Sequence, residues 1–124
     1  MSNQEQEALF RAYILAWLDN NIKIIYEIFN LHAHITQSNG AAYEDLSQII
    51  DWFKDTQNNG SIDDWNIISF QSVSDLTIVT WNIDYSYQKQ RSTFQGVSFV
   101  TYKNERIDSM KEYGCYPHLV YPYR

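Results

Sequence analysis

The chain is poor in the residues that would tie it to an oxidising compartment, a nucleotide or a membrane. It has one cysteine, Cys115, in 124 residues. That excludes an internal disulfide and agrees with a reducing cytoplasm. It has four glycines and two prolines, and no glycine falls in a GxGxxG or P-loop pattern, so nucleotide chemistry is not expected. Basic residues are scarce: nine Lys and Arg against fifteen Asp and Glu give a net charge of -6 and a pI of about 4.8. No run of Lys or Arg offsets this, so nucleic acid and anionic membranes are poor partners. No apolar run approaches the length of a transmembrane helix. The first seven residues are polar and acidic, the opposite of a signal peptide. These absences describe a soluble cytoplasmic protein with neither a nucleic-acid nor a membrane partner.

Aromatic side chains are abundant. They make up 16% of the chain, with 10 Tyr, 6 Phe and 4 Trp. Tyr and Trp join an apolar body to one polar handle, which suits the lining of a cavity. The same excess also suits a core built from large side chains. The length fits one domain, 1–124, large enough for a real core.

Residues 76–87 alternate at period 2 and contain no Gly or Pro. Val79, Trp81, Ile83, Tyr85 and Tyr87 share one face, and Leu76, Ile78, Thr80, Asn82, Asp84 and Ser86 the other. At twelve residues this strand is long enough to cross a whole sheet. An aromatic face that ends among polar residues predicts a curved sheet with one packed end and one open end.

Upstream, Leu9, Phe10, Tyr13, Ile14, Trp17 and Leu18 form one apolar stripe, which predicts a helix over residues 5–18. A second helix is expected over 22–29, capped from residues 19–21, and a short strand over 32–36. A third helix is expected over 46–57, with Asp45 and Gln48 as a capping box and Leu46, Ile49, Ile50 and Phe53 as its buried stripe. Strands follow at 65–70, 76–87, 93–102 and 106–113. Helices first and an antiparallel meander after them make an α+β layout. A cavity between the helices and a bent sheet is the natural small-molecule site.

Several stretches resemble one superfamily. They are Tyr43-Glu44-Asp45-Leu46-Ser47-Gln48-Ile49-Ile50-Asp51-Trp52-Phe53, Trp65-Asn66-Ile67, Val79-Thr80-Trp81, Phe94-Gln95-Gly96-Val97-Ser98, the run from Ile107 to Glu112-Tyr113, and the ending His118 with Tyr121-Pro122-Tyr123. Together they resemble the nuclear transport factor 2-like superfamily, and within it a small bacterial branch of the SnoaL-like group. The resemblance implies a cone-shaped α+β barrel, with N-terminal helices packed on a curved antiparallel or mixed β-sheet. It says little about activity, because the superfamily hosts cyclases, isomerases, hydrolases, dehydratases and pure binding modules.

Tyr13 falls where the similar ketosteroid isomerases have a hydrogen-bonding tyrosine. Their carboxylate base corresponds to Gln37, and an amide has no lone pair that titrates at neutral pH. SnoaL-like proteins usually carry an acidic residue at the position of Gln95. Glu112 keeps the acidic character of the pocket carboxylate that the resemblance implies on the last strand, where it shares a face with Met110 and Asp108. Among Trp and Tyr such a carboxylate is desolvated and its pKa raised, which suits a general acid or base.

The candidate catalytic residues are therefore Glu112, as acid or base, and Tyr13, as donor. Their bland alternatives are a solvated strand end and a core tyrosine. Candidate ligand-binding residues are Trp17, Trp52, Phe53, Trp65, Trp81, Tyr85, Met110 and His118. Asp84 lies opposite Trp81 and reads as a solvent or subunit-interface residue. His32 and His34 share a face and could join His118 in a metal site, but spacing alone does not define one, and no metal is assigned. Cys115, flanked by tyrosines and without a neighbouring base, reads as a buried, inert thiol.

Three functions remain open. The first is a cofactor-free isomerase, cyclase or dehydratase acting on an apolar or aromatic, neutral or cationic substrate. The second is a non-catalytic ligand-binding module. The third is an interaction domain. A homodimer through the convex sheet face, where residues 93–102 carry Thr, Ser, Val and Tyr, is compatible with all three.

Overall fold

The computed structural model describes residues 1–115 and 120–124. Helix α1 spans Asn3–Leu18 and starts from a reciprocal capping box. The Glu5 amide donates to Ser2 Oγ and the Ser2 amide donates to Glu5 Oε1, each at 3.1 Å. This cap starts the helix two residues before the start at residue 5 expected from the sequence. Its inner face carries Gln6, Phe10, Tyr13, Ile14 and Trp17. Asn20, at φ 51°, turns the chain, and Asn21 caps α2, Ile22–Ile28.

Strand β1, Phe29–Gln37, follows α2 without a loop and takes over residues that the sequence pattern divided between a helix and a shorter strand. After the two-residue strand β2, Ala42–Tyr43, comes α3, Leu46–Asn59. Asp45 accepts from the Gln48 amide at 2.9 Å. The Gln48 side chain reaches the Glu44 amide instead of completing the box on Asp45.

Four long strands complete the chain: β3 (Gly60–Val73), β4 (Leu76–Tyr87), β5 (Gln90–Lys103) and β6 (Arg106–Cys115). The β4–β5 and β5–β6 hairpins turn on Gln88-Lys89 and Asn104-Glu105, all four at positive φ. Two consecutive left-handed residues are what a two-residue hairpin of matching twist needs, here without glycine.

The sheet order is β2-β1-β6-β5-β4-β3. Every neighbouring pair is antiparallel except β1 and β6, which run parallel. The first and last strands in this order do not pair, so the curved sheet is an open cone and not a closed barrel. Helices cover its concave face. At the packed end, Phe10, Phe29, Ile35, Val79, Val100, Ile107 and Met110 are buried. No helix among the described residues is long and apolar enough to cross a membrane.

Bulges account for two departures from the sequence reading. The β3–β4 register shifts at Ile62/Asp64 and at Ile67/Ser69, which leaves Ile68 exposed and hides a fourteen-residue strand behind broken alternation. The β5–β6 register shifts between Thr101 and Tyr102, so Ile107 and Met110 both enter the core. Asp108 is the extra residue of that bulge. It takes a long hydrogen bond from Asn30 and does not share the inward face of Glu112.

Candidate functional site

The open end of the cone holds a cavity of about 690 Å³. That volume falls within the range of small-molecule sites, roughly 300–1,000 Å³. Its buried floor consists of Tyr13 and Trp17 from α1, Trp65 from β3, Trp81 from β4 and Glu112 from β6. Towards the rim the lining becomes half-buried or exposed, with Tyr43, Trp52, Asp55, Tyr87, Phe94 and Cys115.

Strand register places Glu112. Its neighbour on β1 is Gln37 and its neighbour on β5 is Ser98. Both reach its carboxylate: Gln37 Nε2 donates to Oε1 at 3.5 Å, and Ser98 Oγ donates to Oε2 at 3.2 Å. Ser98 Oγ also accepts from Trp81 Nε1 at 2.9 Å. The indole thus occupies a lone pair of the hydroxyl and leaves its single proton for Glu112. Trp81 lies over its register partner Gly96, where an added Cβ would collide with the indole ring. Glycine at position 96 is therefore a condition of the Trp81–Ser98–Glu112 chain.

Glu112 is only 7% exposed and has no ion-pair partner among the described residues. Burial pushes its carboxyl above the usual value, and the hydrogen-bonding influence of Gln37, Ser98 and Tyr13 pulls it back part of the way. Burial first, and then the Glu112 charge, push the Tyr13 phenol well up. The Tyr13 hydroxyl is close enough to Glu112 and Trp17 to couple with both, yet neither contact has ordinary hydrogen-bond geometry. Tyr13 Oη, Trp17 Nε1 and Trp65 Nε1 are buried and have no hydrogen-bond partner among the described residues. Buried donors are rarely left unpaired, and these three line the cavity, where a group inside it can accept from them.

Aromatic contacts fix the walls. Trp17 and Trp65 meet the Tyr13 ring edge-on, with centroids 6.4 and 5.4 Å away. Tyr43 stacks on Trp52 at 4.6 Å and 13°, and Tyr85 stacks on Phe94 at 5.5 Å. At the rim Tyr87 Oη donates to Asp55 Oδ2 at 3.2 Å, a bond that also raises the Tyr87 phenol pKa.

Of the residues singled out from sequence, Glu112, Tyr13, Trp17, Trp52, Trp65, Trp81 and Tyr85 border this cavity. Phe53 and Met110 do not. Phe53 is 1% exposed and packs behind the wall on Trp17, and Met110 is fully buried in the core beyond the floor. His118 lies outside the described residues. His32 and His34 are exposed on β1 while Ala33 and Ile35 point inward, so neither faces the cavity. Cys115 is exposed at the rim and is not a buried thiol, because β6 leaves the core after Glu112. Sequence reasoning missed Ser98 and the role of Gln37 as a partner of Glu112. Only the strand register exposes either one.

The same architecture occurs in solved structures. A protein with a ketosteroid isomerase-like fold from Catenulispora acidiphila, solved in complex with trimethylamine, superposes with a TM-score of 0.75. It has 16% identity, over 85% of this chain and 83% of that one. A proposed SnoaL-like polyketide cyclase from Mesorhizobium loti gives 0.71 at 13% identity, over 87% and 97%. A nuclear transport factor 2-like protein of unknown function from Burkholderia xenovorans gives 0.77 at 15% identity, over 98% and 91%. This chain has the nuclear transport factor 2-like fold. No family profile and no curated protein matches its sequence. At the floor of its cavity an amide at position 37 stands beside a carboxylate at position 112.

Proposed function

We propose that this chain binds a small molecule with an apolar or aromatic body, neutral or cationic, and exchanges a proton with it through Glu112. The observation that carries the reading is a buried carboxyl at the floor of an aromatic cavity, held by Gln37 and Ser98. A carboxyl whose pKa is raised by burial has acid and base forms close in energy nearer neutral pH, which general acid–base catalysis requires. As a carboxylate, Glu112 takes a proton from the ligand; as the acid, it returns one. The Tyr13 hydroxyl, beside it and without a hydrogen-bond partner among the described residues, donates to a ligand oxygen on which negative charge develops. The chemistry is a cofactor-free isomerisation, cyclisation or dehydration. The neighbour solved with trimethylamine is a protein of this fold that takes a small organic molecule.

The amides at Gln37 and Gln95 favour a second reading, a pocket that binds its ligand without turning it over. One experiment separates the two. A fragment screen against the wild type identifies binders, and each binder is then followed for conversion by wild type and Glu112→Gln. Conversion lost in the variant with binding retained supports catalysis. Binding without conversion by either protein supports the binding module. Binders that do not compete for this cavity would sink both.

A further inference from the structure

Buried carboxylates in proteins are paired with a cation or lose their charge, because an isolated buried ion costs several kcal/mol. Glu112 has no such partner among the described residues, only the neutral groups Gln37, Ser98 and the nearby Tyr13 hydroxyl. The space a counter-ion would occupy is open, since Glu112 borders the cavity.

The remaining lining has the same character. A second carboxylate, Asp55, stands at the rim, and no Lys, Arg or His occurs among the described lining residues. An anionic ligand would meet two carboxylates and no compensating charge. Nine of the lining residues are aromatic, three of them the buried indoles Trp17, Trp65 and Trp81. Trp is the best of the side chains at attracting a cation through its ring, and the attraction grows where water is excluded. An alkylammonium ion satisfies both halves of the site: its charge answers Glu112 and its apolar substituents answer the rings. The net charge of -6 draws such a cation towards the protein.

From these features together we infer that the ligand is a small organic ammonium ion, whose positive charge supplies the counter-ion that Glu112 lacks among the described residues. The inference rests on the pocket reading above and narrows it.

The test compares phenyltrimethylammonium with tert-butylbenzene, its uncharged isostere in which carbon replaces the nitrogen. Both affinities are measured by ligand-observed NMR for the wild type, Glu112→Gln and Asp55→Asn. The cation should bind the wild type at least about tenfold more tightly than the isostere, the order set by a desolvated cation on aromatic faces. Glu112→Gln should reduce that preference severalfold, to the part the rings supply, while retaining affinity for tert-butylbenzene, whose binding also reports that the variant is folded. Asp55→Asn, at the solvated rim, should reduce the preference only slightly.

Equal or tighter binding of tert-butylbenzene to the wild type would overturn the ammonium inference and leave the pocket reading intact. So would a preference that persists undiminished in Glu112→Gln. Failure of both probes to bind the wild-type cavity would overturn the inference and the pocket reading together.

Discussion

Gln37 and Glu112 stand directly across from each other on the parallel strands β1 and β6, with the amide nitrogen 3.5 Å from the carboxylate oxygen. The buried carboxylate of the cavity thus stands one strand away from this amide. An amide suits this neighbour in both protonation states, because its nitrogen donates to a carboxylate and its oxygen accepts from a carboxylic acid. A second carboxylate could not do so once both ionise.

Gln37→Glu would set two carboxyls side by side, each raising the pKa of the other. Below the unfolded pKa of both groups the substitution should be nearly silent. As pH rises through the raised values, stability should fall, by about 1–3 kcal/mol at pH 8. Urea denaturation at pH 4 and pH 8 checks this. An equal loss at both pH values would mean that shape and not charge is responsible.

The wild-type carboxyl has its own pH signature. The folded pKa of Glu112 is raised above the ordinary 4.5 by burial. Below that ordinary value the folded and unfolded states are both protonated, and nothing is lost. As pH rises through the folded value, the unfolded chain ionises more readily than the folded one, and this contribution to stability disappears. Glu112→Gln should remove that part of the decline. Parallel stability profiles for the two proteins between pH 4 and pH 8 would show that Glu112 is not held against ionisation.

Gly96→Ala tests the Trp81–Ser98–Glu112 chain without substituting any of its members. The new methyl group would run into the Trp81 ring and the Tyr113 carbonyl oxygen. Displacing the indole should cost about 1–3 kcal/mol, as overpacking does, and change the fluorescence of Trp81. A variant with unaltered stability and emission would show that Trp81 has room to move.

Cys115 offers a probe that needs no substitution. It is exposed and lines the rim. A bulky maleimide on this thiol should obstruct the cavity, and a saturating ligand should slow the labelling. Labelling at the same rate with and without a bound ligand would place that ligand elsewhere.

Much of this arrangement was legible in the sequence, for identifiable reasons. The period-2 run of β4 and the stripe of α1 announce their inward faces, so Trp81, Tyr85, Tyr13 and Trp17 could be named before any fold was known. Glu112 came from a resemblance and not from pattern, since one acidic residue on a strand has no periodicity of its own. Ser98 and Gln37 could not be found in this way. Their importance comes from lying beside Glu112 in register, and pairing between strands far apart in sequence leaves no local mark. The bulges at Ile68 and Asp108 defeated the alternation rule by moving residues across the sheet. Met110 and Phe53 lie behind the cavity wall for another reason: a side chain on the inward face can border the cavity or fill the core, and depth along the cone decides which.

The most direct measurement is the carboxyl carbon resonance of Glu112, followed by NMR through a pH titration and again with each fragment that binds. A carboxyl buried at the cavity floor should show an apparent pKa above the ordinary glutamate value, and a resonance that moves when a fragment occupies the cavity. A resonance that titrates like a surface glutamate and ignores every bound fragment would contradict the pocket reading.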